Sequence, residues 1–406
     1  MFTPFNPYGT NQLYPAHGGG RMATPNKLEK KRDPLEPPEK SLPRVVSYYA
    51  DYSGCGFWRM IWPEHVLNAY QQVVIAGQTT MVLDPKYYEG IQCVRVQRQA
   101  TPNQLKFIEH LKKISKELGF RIIYEVDDII FREDIPVYNK FKVAFDADDV
   151  RESSQAIMEI CDEMTVTCPF MRDYYRGKTS QKNITAIPNY PPKFWLGHYY
   201  NEQKVRDIFR QYKTKPRILY AGSGAHFDVD NRVKQRDDFH HVSDAIIQSR
   251  DRFQWVFVGA FPKAIQPYIQ SGQMEFHPWK PLYDYPGFMR SLNISMAVAP
   301  LEISNFNNAK SDIKWVEACA MGFPIACQDM ETYKKAPLKF TTGEEMIDIV
   351  GKVCSNKKQY LNASRAGWAA VKERWLEHPT NYGKYKELFT LPYKHPNRKL
   401  LNALDE

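Results

Sequence analysis

Two successive series of short apolar strands alternating with helices, parted by Pro188-Asn-Tyr-Pro-Pro, constrain this chain more than any other feature. Repeated strand–helix–strand order implies parallel sheets covered on both faces, because joining two parallel strands takes a crossover long enough to hold a helix. In the first series the runs beginning at Arg44, Gln71, Thr80, Ile91, Phe120, Met164 and Ile184 read as strands. Helices are expected over Phe57–Tyr70, interrupted near Pro63, and over Val150–Ile160. A third is expected over Pro102–Leu118, where Leu105, Ile108, Leu111, Ile114 and Leu118 recur at helical spacing before Gly119.

The second series starts afresh at Arg217-Ile-Leu-Tyr-Ala. It continues through Phe253-Gln-Trp-Val-Phe-Val, Met274-Glu-Phe-His and Ile294-Ser-Met-Ala-Val-Ala to Pro324-Ile-Ala-Cys. Helices are expected over His241–Ser249, Tyr283–Leu292 and Asp312–Met321. The fold class is therefore α/β, with two doubly wound, Rossmann-like domains whose strand ends face a central cleft. The expected division is a Pro- and Gly-rich arm over 1–43, domains over 44–190 and 191–364, and C-terminal helices with a tail over 365–406. Alternation of this kind also suits dehydrogenases, periplasmic-type binding proteins and phosphoribosyl enzymes, so it gives a fold class and no activity.

No run of about 18 apolar residues occurs, so no transmembrane helix is expected. The first residues lack a secretory pattern, which points to a cytoplasmic protein. The seven cysteines, at 55, 93, 161, 168, 319, 327 and 354, are scattered and read as free thiols; no CxxC pair or His cluster suggests a metal. The net charge of +9 is uneven: 44–190 carries 18 basic and 19 acidic side chains, and 191–390 carries 28 and 21. The basic excess in the second half suits either a bound phosphate or a nucleic-acid track.

The segment Pro300-Leu-Glu-Ile-Ser-Asn-Phe-Asn-Asn-Ala-Lys-Ser-Asp-Ile-Lys-Trp-Val-Glu-Ala-Cys-Ala-Met-Gly-Phe-Pro carries the most chemistry. It leaves a strand, crosses a polar loop and starts a helix near Ser311, where unpaired N–H groups favour a diphosphate. Lys310 opposes the helix dipole there unless an anion offsets both, and Ser311 can cap the helix. The structural alternative is a capped helix with a surface Lys314–Glu317 pair.

With its Glu317-Ala-Cys-Ala-Met-Gly-Phe-Pro stretch, the segment resembles the donor site of group-one, retaining glycosyltransferases of the GT-B fold. The resemblance implies that Glu317 hydrogen-bonds the ribose while Lys310 and the N–H groups near Ser311 hold the diphosphate, with Ser311 and Lys314 counted among the donor-binding residues. It also implies a second carboxylate eight residues before Glu317, but position 309 is Ala, closer to a branch reading Asn-x-x-Lys-Ser-x-x-Lys. Further matches follow in family order. They are Gly222 and Ser223 after the second domain's first strand, Trp279-Lys280 in the expected base loop, Ile187-Pro-Asn as linker, and Gly54 and Gly56 after the first strand. Each glycine site is equally what a tight turn needs. A C-terminal helix that crosses back to the first domain belongs to the same resemblance.

Glu125-Val-Asp-Asp ends a strand at the cleft, and alternation puts Glu125 and Asp127 on one face as acceptor-positioning or base candidates. A helix cap with an ion pair to Arg121 or Arg132 is the bland alternative. His226 and His277 read as loop residues. The expected activity is hexosyl or pentosyl transfer from a nucleotide-diphosphate sugar, with retention and no essential metal. The acceptor is a hydroxymethylated pyrimidine of phage DNA or a cell-surface glycan or lipid-linked intermediate. A non-catalytic nucleotide-sugar or nucleic-acid binding module is the alternative.

Overall fold

The computed structural model describes residues 42–198, 200–228 and 237–391. Nearly all of the expected arm, with Lys30, Lys31 and Arg32, and the tail beyond 391 lie outside the described residues.

Among the described residues twelve strands form two sheets, each of six strands and each wholly parallel. The first contains β1 (Arg44–Tyr48), β2 (Val74–Gln78), β3 (Cys93–Gln97), β4 (Arg121–Glu125), β5 (Glu163–Val166) and β6 (Ile184–Ala186), in the order β2-β1-β3-β4-β5-β6. The second contains β7 (Arg217–Gly222), β8 (Gln254–Gly259), β9 (Glu275–His277), β10 (Met296–Ala299), β11 (Ile325–Gln328) and β12 (Lys339–Phe340), in the order β12-β11-β10-β7-β8-β9. Strand order reverses between β1 and β3 and again between β7 and β10. At these points the loops leaving neighbouring strands part and open a crevice at their carboxyl ends.

Local chemistry explains most element boundaries. The helix Pro102–Leu118 opens with a reciprocal Thr101–Gln104 capping box, with Pro102 in its first turn, and ends at Gly119 with φ +76°. Its buried face is Phe107, Ile108, Leu111 and Ile114. Two expectations need correction. Thr80–Leu83 is not a strand: Val82 N–H donates to Tyr48 Oη and its carbonyl accepts from Tyr88 Oη, so side chains satisfy backbone that a ladder would otherwise use. The helix expected from Phe57 with a break near Pro63 starts earlier and is unbroken, because Gly54-Cys-Gly is its first turn and it continues through a π-helical stretch, Phe57–Ile61, into Trp62–Ala69. Pro63 follows the π-helical stretch, and the Arg59 carbonyl four residues earlier, which its missing N–H leaves free, accepts from Arg95 Nη1 at 2.9 Å.

The two halves share core. One apolar cluster joins Val45, Met60 and Trp62 to Leu219, Trp315 and Tyr385, and another brings Phe306 and Ala309 of the second half against the first sheet. The segment Ile187–Pro192 is largely buried. Arg59 Nη1 donates to the Ile187 carbonyl at 2.5 Å and to Asn189 Oδ1 at 3.0 Å. The helix Pro379–Thr390 packs on the first domain: the Leu388 carbonyl accepts from Arg121, the Thr390 carbonyl accepts from Gln92 at 3.0 Å, and Tyr382 stacks on Tyr70. Among the described residues no helix is long and apolar enough to cross a membrane.

Candidate active site

The reversal between β7 and β10 positions the second domain's functional side chains. At the end of β7, Gly222 is required by packing: a Cβ there would lie 2.3 Å from Tyr220 Oη. Its register partner Gly259 has φ +90°, and a Cβ on it would stand 2.7 Å from both the Gly222 carbonyl and the Trp279 ring. Trp279 thus lies over the ends of β7 and β8 with 48% of its surface exposed, its ring 5.5 Å from that of Tyr285. Ser223 Oγ accepts from Ala225 N–H and shapes the turn. Lys280 is exposed and lies over the Phe288 ring.

After β10 the chain makes a short helical turn, Asn305–Asn308, and then the nine-residue helix Ile313–Met321. Ser311 is not its cap. The N-cap is Asp312, which makes no side-chain bond to the helix because Arg374 holds its carboxylate at 2.6 and 3.0 Å. Ser311 Oγ instead accepts from Asn189 of the linker at 3.1 Å. No side chain caps the helix, so its first-turn N–H groups keep their capacity for an anion.

Lys314 and Glu317 form no surface pair. Lys314 Nζ donates to Tyr220 Oη at 3.2 Å and lies 4.5 Å from that ring's centroid. Burial and neighbouring Lys310 push its ammonium down to about 8, against Asp238 and Glu317. Glu317, hydrogen-bonded to Tyr285, is pushed up to about 8 by burial, against the pull of Lys314. Leu219, Ala221, Tyr285, Lys314, Glu317 and Ala318 line a small cavity between this helix and the sheet. Lys310 reaches out of the second domain, lies over Phe306, and donates to Asp128 Oδ2 at 3.3 Å.

The first domain presents a carboxylate corner. Asp51 Oδ1 accepts from the N–H groups of Ser53 and Gly56, and a Cβ on Gly56 would meet the Asp51 carbonyl at 2.0 Å, so Gly56 is demanded by the turn. Around Gly54 there is open space. Arg98 holds Asp51 at 2.6 Å and Asp127 at 3.5 Å. It does so from a left-handed backbone, φ +48°, strain typical of functional loops. Asp128 is pushed upward by burial and by Asp127, with Lys310 opposing.

Glu125 does not belong to this corner. It is fully buried, with one oxygen on Arg59 Nε and the other on Arg95 Nη2, both at 2.6 Å, and Thr165 Oγ1 also donates to it. The reason is positional: Glu125 is the last residue inside β4, flanked by β3 and β5, whereas Asp127 and Asp128 stand beyond the sheet edge. Neither Arg121 nor Arg132 pairs with this stretch; they hold Glu163 and Asp148. Ala309 is wholly buried against the first domain's core, so the position where the resemblance expects a second carboxylate faces packing rather than the cleft.

Sequence reasoning missed Asp238. Its carboxylate accepts from His226 Nδ1 at 2.6 Å, Tyr138 Oη at 2.8 Å, Asn307 Nδ2 at 2.7 Å and the Glu302 N–H at 2.9 Å. No local pattern links these residues, which come from both domains. Among the described residues no group of three or more His, Cys, Asp or Glu stands close enough to hold a metal. All seven cysteines are free, five of them buried.

No protein-family model matches this sequence, and no curated protein sequence matches it. Solved structures are similar in shape. The crystal structure of TarM superposes with a TM-score of 0.50 at 10% identity, covering 76% of this chain and 57% of TarM. A complex of an S. aureus TarM variant with Fondaparinux, alpha-GlcNAc-glycerol and UDP gives 0.48 at 10% identity, over 76% and 58%. The wall teichoic acid polymerase TagF gives 0.42 at 12% identity, over 86% and 88%. The chain thus spans little more than half the length of TarM. Two six-stranded parallel sheets opening on one cleft, in an arrangement shared with TarM, give the chain a GT-B fold.

Proposed function

We propose that the chain is a glycosyltransferase, binding a nucleotide-diphosphate sugar on the second domain and passing the sugar to a hydroxyl held by the first. One observation carries this reading: Lys310 and Lys314 flank an uncapped helix N-terminus at the β7–β10 reversal, and Lys310 reaches across to Asp128 of the first domain. Two ammonium groups and free N–H groups suit a diphosphate, and they stabilise the charge that grows as the sugar–phosphate bond breaks. No essential metal enters this reading. Glu317 is placed to accept from ribose hydroxyls, and Trp279 to stack on the base. Gly222 and Ser223 shape the phosphate-side turn, Gly54 and Gly56 the opposing one, and Lys280 borders the base loop.

Asp128 accepts from Lys310 at 3.3 Å. A diphosphate that takes over Lys310 releases Asp128, whose elevated proton affinity then suits it to accept the acceptor hydroxyl's proton. Asp127, held by Arg98, orients that hydroxyl. Retention of configuration, implied by the family resemblance, is part of the proposal, as is a cytoplasmic setting, which free thiols suit.

The acceptor proposed is a glycan or lipid-linked saccharide. Asp51, Asp127 and Asp128 line the acceptor side, and an acidic corner suits neutral hydroxyls better than the phosphates of duplex DNA. The test is release of nucleoside diphosphate from UDP-, GDP-, ADP- and dTDP-sugars, with and without glycan acceptors. The anomeric proton coupling of the product reads retention. Duplexes with and without hydroxymethylated pyrimidine, across a salt series, form the second arm. Transfer to the modified duplex alone would replace the glycan reading by the DNA one. Tight nucleotide binding with neither hydrolysis nor transfer would leave a binding module.

A further inference from the structure

His226 lies in the turn after β7, its side chain 12% exposed, with Nδ1 bound at 2.6 Å to Asp238, which is 1% exposed. Three further donors fix that carboxylate: Tyr138 from the first domain, Asn307, and the Glu302 N–H. A carboxylate so saturated stays ionised and holds the ring in one orientation with the proton on Nδ1. That leaves Nε2, which makes no hydrogen bond among the described residues, as the ring's available atom. The charged groups acting on the ring are Asp238, Lys310 and Lys314, and these two lysines are the pair assigned above to the diphosphate. Burial and the lysines, outweighing Asp238, push the imidazole down to about 4, so it is neutral near pH 7.

We propose that His226 is a third diphosphate-binding group, and that it takes up a proton at Nε2 when a nucleoside diphosphate binds. The inference rests on the donor-site reading and adds a proton to it. An incoming diphosphate neutralises the lysines that disfavour imidazolium and offers Nε2–H an anionic acceptor, while Asp238 stabilises the new cation from the other side. The proton comes from solvent, no bond in the ligand breaks, and the binding reaction becomes protein plus ligand plus one proton. Because ligand raises the imidazole's proton affinity, affinity rises as pH falls from the bound value towards the free one.

The test is calorimetry with UDP, GDP, ADP and dTDP from pH 5 to 8, in buffers of different ionisation enthalpy, on the wild type and His226→Gln. Gln keeps a hydrogen-bond donor but cannot titrate. The wild type should take up close to one proton more than the variant where the ring titrates. Its affinity should gain up to about tenfold per pH unit over the variant's as pH falls. Titration of the nucleotide's own terminal phosphate is common to both proteins and cancels. Equal proton uptake and parallel pH profiles would overturn the proposal while leaving the donor site standing. Absence of binding by the wild type to any of the four overturns the donor reading and this inference together. Should the Gln form misfold, His226→Asn serves as the second non-titrating reference, and the same difference in proton uptake is read against it.

Discussion

Lys310 of the second domain and Asp128 of the first meet at 3.3 Å across the cleft, so the cation proposed for the leaving diphosphate is held by the carboxylate proposed for the acceptor. One contact thereby links the two halves of the proposed reaction. Lys310→Ala should lower turnover on the order of 100-fold, as loss of one electrostatic stabiliser does, with donor affinity falling too. Thermal melting should stay close to wild type, because the pair is partly exposed. Steady-state release of nucleoside diphosphate checks it; near-normal turnover in a folded variant would remove Lys310 from the mechanism.

Glu125 and Asp127, two residues apart, should fail in different ways. Glu125→Gln leaves Arg59 and Arg95 buried with less than their compensating charge and should cost about 3–5 kcal/mol of stability in denaturant unfolding. Asp127→Asn should leave stability nearly unchanged and lower transfer more than donor hydrolysis. A stable but inactive Glu125→Gln protein would return Glu125 to the acceptor site.

Glu317 ties stability to pH. Its carboxyl, ordinarily near 4.5, is pushed up to about 8 by burial, so the folded state binds more protons than the unfolded chain between those values. Its contribution is present below about 4.5 and is lost as pH rises towards 8. Glu317→Gln removes that loss. The variant's melting temperature relative to wild type should climb from pH 5 to pH 8, by roughly 1 °C per kcal/mol recovered. Its affinity for the nucleoside diphosphate should drop by about 1–3 kcal/mol. Parallel melting curves across this range would contradict the buried, proton-holding carboxyl.

Trp279→Ala should weaken nucleoside diphosphate binding by about 1–3 kcal/mol, the usual worth of a base–aromatic stack. Binding of inorganic pyrophosphate, which has no base, should be unaffected. Quenching of tryptophan fluorescence on titration with each ligand separates the two, and equal loss for both would mean that Trp279 only supports the β7–β8 turns.

The sequence by itself determined the local architecture. Apolar runs, glycines at strand ends and Pro102 at a helix start specify β7, β10 and the helix Pro102–Leu118, because those signals act over a few residues. It also marked Lys310, Lys314 and Glu317 as neighbours, being close on one loop and helix. Only the tertiary structure decided what each faces. Asn189 took Ser311 and Arg374 took Asp312, leaving the helix N-terminus uncapped. Two arginines from distant segments buried Glu125, and sheet length, not alternation, separated it from Asp127 and Asp128. Asp238 gathers Tyr138, His226, Asn307 and Glu302 from loops of both domains, and no periodicity encodes such a meeting. Its position follows from how two sheets pack across a cleft, which is settled by long-range burial and charge pairing rather than by any stretch of neighbouring residues.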